Sequence, residues 1–209
     1  MSAREVRRGG VSHERLEQVA ARAFSGPVYR FIGTRFLQSP LVSAGSRLHG
    51  GRFNPPGRFE VLYAALAADT ALAEREGILL TGAGIKLARG IRTALLLRIS
   101  CRLARVLDLT DEQVREQLQI PLATLLGPWL PWNVPAGGAA EAGTFVAPSQ
   151  RIGMSVYASR RFEAIRSPSA KDPGGQCLAI FPARLQPGSV VAIDDPQGVI
   201  SGALGVRDR

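Results

Sequence analysis

Arg52, Tyr63 and Glu74 follow one another at intervals of eleven positions, and their side chains can do chemistry together. Arg52 follows Gly50-Gly51, where a backbone without side chains can approach a ligand closely. A guanidinium there can grip a phosphate through paired hydrogen bonds. Tyr63 lies in an apolar run, so its hydroxyl needs a partner once the ring is buried. Glu74 falls in the first turns of an expected helix, whose positive end favours the ionised carboxylate. Such a carboxylate can stabilise positive charge on a sugar as a C–N glycosidic bond breaks, or orient sugar hydroxyls or an attacking water. Spacing alone does not select this chemistry. A helix-start Glu, a core Tyr and a surface Arg fit the same three positions.

Several elements must position these groups. Residues 12–24 read as a helix with Ser12 as its cap and Leu16, Val19, Ala20, Ala23 and Phe24 on one face. Gly26-Pro27 ends it, and residues 28–32 read as a strand. Residues 39–57 hold Pro40, Gly45, Gly50, Gly51, Pro55, Pro56 and Gly57, and read as a long loop dense in donors, the kind that carries function. A short strand over 61–65 precedes a helix over residues 71 to 80, capped by Asp69-Thr70. Residues 93–100 and 105–109 read as paired strands with a turn at Cys101-Arg102, and Thr110 with Gln113 as a capping box. Residues 125–149 read as a long loop holding Trp129 and Trp132. A helix over 150–162 capped by Ser149, a polar turn over 166–176, strands over 177–182 and 190–193, and a frayed tail after Gly202 complete the chain. Strands and helices mix without regular βαβ alternation, which points to α+β. No GxGxxG follows a strand, and Gly82-Ala83-Gly84 reads as a turn.

Composition narrows the classes. The 209 residues are 45% hydrophobic and 21% charged, enough for a globular core. Two cysteines, Cys101 and Cys177, and two histidines, His13 and His49, stand in no metal-ligand spacing, so no metal is expected. No apolar run reaches the length of a membrane span, and the basic N-terminus lacks the apolar stretch of a signal peptide, so a soluble cytoplasmic protein with reduced thiols is expected. The net charge is +9, with Lys86 and Lys171 the only lysines. This arginine excess suits an anionic partner, either a phosphorylated ligand or a nucleic acid, or only a solubilising surface. Without a recognition-helix motif, a zinc finger or an aromatic-basic sheet signature, direct nucleic-acid binding is the weaker reading.

Four stretches together resemble a known family: Tyr29-Arg30, Gly50-Gly51-Arg52-Phe53-Asn54-Pro55, Val61-Leu62-Tyr63-Ala64-Ala65 and Ala71-Leu72-Ala73-Glu74. They are similar to the core signature of RES-domain proteins, toxins of bacterial toxin–antitoxin pairs named for an Arg, a Glu and a Ser. The resemblance runs from about Val28 to Pro182 and is dense only between Arg47 and Glu74. It implies an ADP-ribosyltransferase-like fold, α+β with a split mixed or antiparallel sheet and flanking helices. It also implies NAD⁺ as substrate, cleaved at the nicotinamide–ribose bond, with transfer of ADP-ribose to a protein or to phosphate as the alternative, and a cognate antitoxin as partner. The third name residue falls on Ser169, in Pro168-Ser169-Ala170, with Ser167 as the alternative register; a turn serine also suits that position. The family's Trp in the Gly-Gly-Arg-Trp-Asn run is Phe53 here, which keeps an aromatic packing residue, and residues 125–149 match nothing in the family.

The resemblance implies that Arg52, Tyr63, Glu74 and Ser169 form the catalytic set. Tyr63 would stack on or orient the nicotinamide riboside, and Ser169 would bond the ligand. Arg30, Arg47, Gly51 and Asn54 are candidates to bind the dinucleotide, although strand and loop arginines are often only solvated. His49 has a suitable pKa for a base, but a lone loop His is more often solvated. Trp129 and Trp132 would cover the ligand, meet the antitoxin or anchor their own loop. Glu76 is set against Glu74: two residues apart on a helix, they lie about 200° around its axis, and the family register selects Glu74. Leu72 and Leu79 are expected to face the core together, with Arg75 pointing elsewhere. The expected organisation is a helical extension over 1–27, one catalytic domain over 28–200 and a tail over 201–209.

Overall fold

The computed structural model describes residues 10–79, 94–130 and 146–205. The turn expected at Gly82–Gly84, Trp132, and the side chains of Glu76 and Leu79 lie outside the described set. The elements are α1 (His13–Gln18), β1 (Arg22–Gly33), a 3-10 turn (Thr34–Phe36), α2 (Ala44–His49), β2 (Leu62–Ala65), α3 (Ala68–Leu79), β3 (Ala94–Asp108), α4 (Glu112–Leu118), α5 (Leu122–Leu126), α6 (Pro148–Ser159), β4 (Ala164–Pro168), β5 (Gln176–Ile180), a second 3-10 turn (Pro182–Arg184), β6 (Val190–Ile193) and β7 (Ala203–Gly205).

The architecture is α+β with flanking helices, as expected, and its sheet is mixed: β3 runs parallel to β4, and every other pairing is antiparallel. The sheet does not stay open in two halves. Strand order β1-β2-β5-β4-β3 is joined at its ends by a β1–β3 pairing, so five strands close into a ring, and β6-β7 branch from β3. The ring closes because β3 is long enough to serve two neighbours on one edge, β6 over Ile99–Arg102 and β4 over Val106–Asp108, while β1 takes its other edge.

Burial follows this closure. One apolar cluster draws Val28, Ile32, Leu62, Leu97, Ile99, Ala164, Leu178 and Ile180 from all five ring strands and fills the inside. A second cluster covers the outer face of the sheet with residues of α1, α4, α5 and α6 and joins Phe53, Phe59, Val61, Leu107, Phe162 and Phe181. Strand alternation sorts neighbours between the two: Leu178 and Ile180 face inward, while Ala179 and Phe181 face the helices.

Several expected elements change. The helix over 12–24 stops at Gln18, because Phe24 pairs opposite Leu103 and the rest of that segment joins β1. The two strands expected over 93–109 are one, since Cys101-Arg102 pairs with Val190-Val191 and has no turn-forming residue. Where β3 meets β1 irregularly near Arg22 and Phe24, the wholly buried Glu163 carboxylate accepts the N–H groups of Ala104 and Arg105, both at 2.7 Å. Asp111 caps α4 in place of Thr110, accepting from the N–H groups of Gln113 and Val114. Helix α6 begins at Pro148 with Ala147 as its cap, not Ser149. Strand β4 replaces the start of the polar turn expected over 166–176, and the tail after Gly202 forms β7. The loop over 39–57 contains α2, which ends at Gly50 with φ of +74°, a conformation that suits glycine. Leu72 is 42% exposed and so does not face the core.

Candidate active site

The RES-like segments meet at one end of the ring, and each is set by its own local folding. The Gly51–Asn54 turn closes on itself, with Gly51 N–H donating to Asn54 O at 2.8 Å and Asn54 N–H to Gly51 O at 3.4 Å. Tyr63 rises from β2 against this turn. A side chain at Gly51 would come within 2.5 Å of the Tyr63 ring, so only glycine fits there. The Tyr63 hydroxyl donates to Asn54 Oδ1 at 2.7 Å and accepts from Phe53 N–H at 2.9 Å. Enclosure of the hydroxyl pushes the phenol pKa up, against the pull of these bonds and of Arg52. With its donor and an acceptor site both used, the hydroxyl braces the turn.

Asn54 lies inside the loop. It is wholly buried, and its amide donates to Ser46 O at 2.7 Å and Phe59 O at 3.1 Å while accepting from Tyr63. In this arrangement Asn54 shapes the turn and does not reach a ligand. Gly51 is likewise buried against Tyr63. Arg47 stands exposed on α2, and its backbone carbonyl accepts from Gly57 N–H. His49 is exposed at the end of the same helix.

Arg52 projects from the turn and is half-buried. Its Nη1 donates to Leu125 O at 2.5 Å and Gly127 O at 2.8 Å, tying it to the C-terminal end of α5. Among the described residues its Nη2 and Nε have no hydrogen bond. Burial lowers the guanidinium pKa, and the nearby Glu74 carboxylate is the largest opposing influence.

Glu74 reaches the same place from α3, which is locked to the β4–β5 connection. Thr70 donates to Asp172 Oδ2 at 2.5 Å beside it. Glu74 Oε1 accepts from Ser169 Oγ at 2.6 Å, from Ala170 N–H at 3.1 Å and from the Cys177 thiol at 3.8 Å. Ser169 is itself buried and fully used, because its oxygen also accepts from the N–H groups of Lys171 and Asp172 at 3.1 and 3.0 Å. Its proton therefore points at the carboxylate rather than toward a ligand. Glu74 Oε2 has no partner among the described residues. Ser167, the alternative register, is buried within β4 opposite Cys177.

Arg30 extends from β1, donating Nη1 to Tyr63 O at 3.3 Å and Nη2 to Val42 O at 3.2 Å. Its buried Nε has no partner, no carboxylate pairs with it among the described residues, and burial lowers its pKa to about 10. Desolvated cations without a counterion are costly, and here two backbone carbonyls offset part of that cost.

Three participants carried no chemical signal in the sequence. Cys177 faces Glu74, and burial together with that carboxylate raises its thiol to about 12. Gln150 on α6 donates to the carbonyls of Gly51 and Asn54. Gly153, one turn further, lets α6 press on the backbone of Phe53, where a Cβ would collide. The spacing of Gln150 and Gly153 on one helix face was visible in the sequence, but nothing there tied that face to the Arg52 turn.

Comparison with curated proteins finds no match. Among solved structures, the chain is similar to one in the crystal structure of the M. tuberculosis MbcT–MbcA toxin–antitoxin complex, with a TM-score of 0.62, 21% identity, and coverage of 92% of this chain and 91% of that one. At that identity the likeness is one of fold. The RES domain model matches residues 27–199, which takes in every residue of the site. The chain therefore belongs to the RES domain family.

Proposed function

We propose that this protein is a soluble cytoplasmic toxin of a toxin–antitoxin pair whose single domain, about residues 28–200, cleaves the nicotinamide–ribose bond of NAD⁺. The observation that carries the reading is the pairing of Arg52, whose Nη2 and Nε are unspent among the described residues, with the nearby Glu74 carboxylate, which is fixed on one oxygen and open on the other. Arg30 and Arg52 would hold the two phosphates. Glu74 Oε2 would face the ribose. The C–N bond breaks with its electron pair leaving on nicotinamide, which neutralises the pyridinium, and the ribosyl fragment takes on oxocarbenium character. A fixed negative charge beside that carbon stabilises the transition state more than the ground state. Water then adds to the ribosyl carbon and loses a proton, giving ADP-ribose, nicotinamide and H⁺. Because the Tyr63 hydroxyl is committed to the turn, its part is to hold that turn and offer a ring edge to the nicotinamide riboside.

The structural neighbour was solved with an antitoxin, and an enzyme that consumes an essential cofactor needs restraint, so a cognate antitoxin is part of the proposal. Chromatography of purified, antitoxin-free protein incubated with NAD⁺ tests the reading. Nicotinamide and free ADP-ribose in equal amounts are expected. Nicotinamide appearing only with cell extract would turn the reading to ADP-ribosyl transfer, and its absence in both reactions would overturn it.

A further inference from the structure

We propose that Gln150, outside the proposed reacting set, is the positioning residue that aims Arg52 at its ligand; this rests on the reading of Arg52 as a phosphate-binding group. Gln150 sits in the first turn of α6 and is wholly buried. Its Nε2 donates to Gly51 O at 2.9 Å and to Asn54 O at 3.3 Å, the two ends of the turn that presents Arg52. Its Oε1 accepts from Ala147 N–H at 3.0 Å. The amide can face only one way, because reversal would set its oxygen against two carbonyl oxygens and its N–H group against the Ala147 N–H.

The turn is gripped from its other side by Tyr63, whose hydroxyl takes the Phe53 N–H. Gly153 brings α6 directly onto Phe53. Arg52 thus leaves a four-residue turn held between a helix amide and a strand phenol; that grip sets where its side chain starts, and Leu125 O and Gly127 O hold its Nη1. A buried amide that spends both donors on one turn is costly to bury unless those bonds are made, so the α6–turn contact is specific rather than incidental packing. Placement errors of about an ångström at a charged contact are enough to lose large factors in binding or rate.

A double-mutant cycle separates positioning from general support. The probe is ADP-ribose, whose affinity for wild type, Gln150→Met, Arg52→Ala and the double variant is measured by calorimetry, with thermal unfolding to confirm folding. If Gln150 acts through Arg52, Gln150→Met weakens binding roughly tenfold in the wild-type background and less than about twofold in the Arg52→Ala background. Should Gln150→Met fail to fold, Gln150→Asn takes its place, since it keeps a neutral amide and sets its donors short of the turn. Unchanged affinity in the single variant, or an equal loss in both backgrounds, overturns the positioning role while leaving the NAD⁺ reading intact. Wild-type protein that neither binds ADP-ribose nor releases nicotinamide overturns that reading, and this inference with it.

Discussion

The Ser169 hydroxyl donates to Glu74 Oε1 at 2.6 Å while accepting two backbone N–H groups, so it holds the carboxylate in a fixed place. Ser169→Ala removes that hold and strands the N–H groups of Lys171 and Asp172. The proposed NAD⁺ cleavage is expected to slow by up to about a hundredfold through misplacement of the carboxylate, with a stability loss of about 1–2 kcal/mol. Because Ser169 acts through Glu74, the rate losses of Ser169→Ala and Glu74→Gln are expected to be non-additive in the double variant. Full additivity would separate the two residues.

Tyr63 gives a second test. Tyr63→Phe keeps the ring against Gly51 but leaves Phe53 N–H and Asn54 Oδ1 without their shared partner. A loss of about 1–3 kcal/mol in unfolding free energy is expected. Gly51→Ala forces its new methyl into the Tyr63 ring and is expected to cost at least as much. Denaturant melts of both variants check this; wild-type stability in either would mean that the turn is not braced as described.

The thiols give a pH dependence with a definite sign. Cys101 and Cys177 are both raised from 9.0 to about 12, chiefly by burial. A raised folded pKa means that the unfolded chain releases these protons first. Their contribution to stability is whole below about pH 9 and is lost as pH climbs toward 12. Cys177→Ala is therefore expected to show a shallower decline in unfolding free energy across that window than wild type, measured by denaturant titration. Native Cys177 is also expected to react with iodoacetamide at pH 8.5 at least about tenfold more slowly than a free thiol. Equal slopes and a fast thiol would contradict the placement of Cys177.

What the sequence disclosed and what it hid follow from how local each determinant is. Gly50-Gly51 before Arg52, the apolar strand around Tyr63 and the helix carrying Glu74 are local patterns and form close to where those patterns place them, except that α3 begins at Ala68, so Asp69-Thr70 lie inside its first turn and do not cap it. The register that picked Ser169 also lies on a local Pro-Ser-Ala step, yet its bond to Glu74 spans 95 positions and has no local signature. Asn54 looked like a loop donor because its burial depends on Ser46, Phe59 and Tyr63 closing around it. The 15-residue β3 reads as two strands in sequence because Ser100-Cys101-Arg102 interrupts the apolar run, yet its burial keeps alternating through Cys101 and Leu103, and only the neighbour changes, from β6 to β4, beyond Arg102. Ring closure depends on β1 meeting both β2 and β3, a long-range fact that no window of sequence contains.

The central claim is that the Glu74 carboxylate, fixed through one oxygen and open at the other, drives cleavage of the nicotinamide–ribose bond. Glu74→Gln keeps size and most of the hydrogen bonding while removing the charge. Nicotinamide release from NAD⁺ by the purified variant, set against wild type at matched folded concentration, tests it most directly. The account predicts a fall of about a hundredfold or more, with thermal unfolding shifted by no more than a bond's worth, about 1 kcal/mol. Release at the wild-type rate by well-folded Glu74→Gln would contradict it.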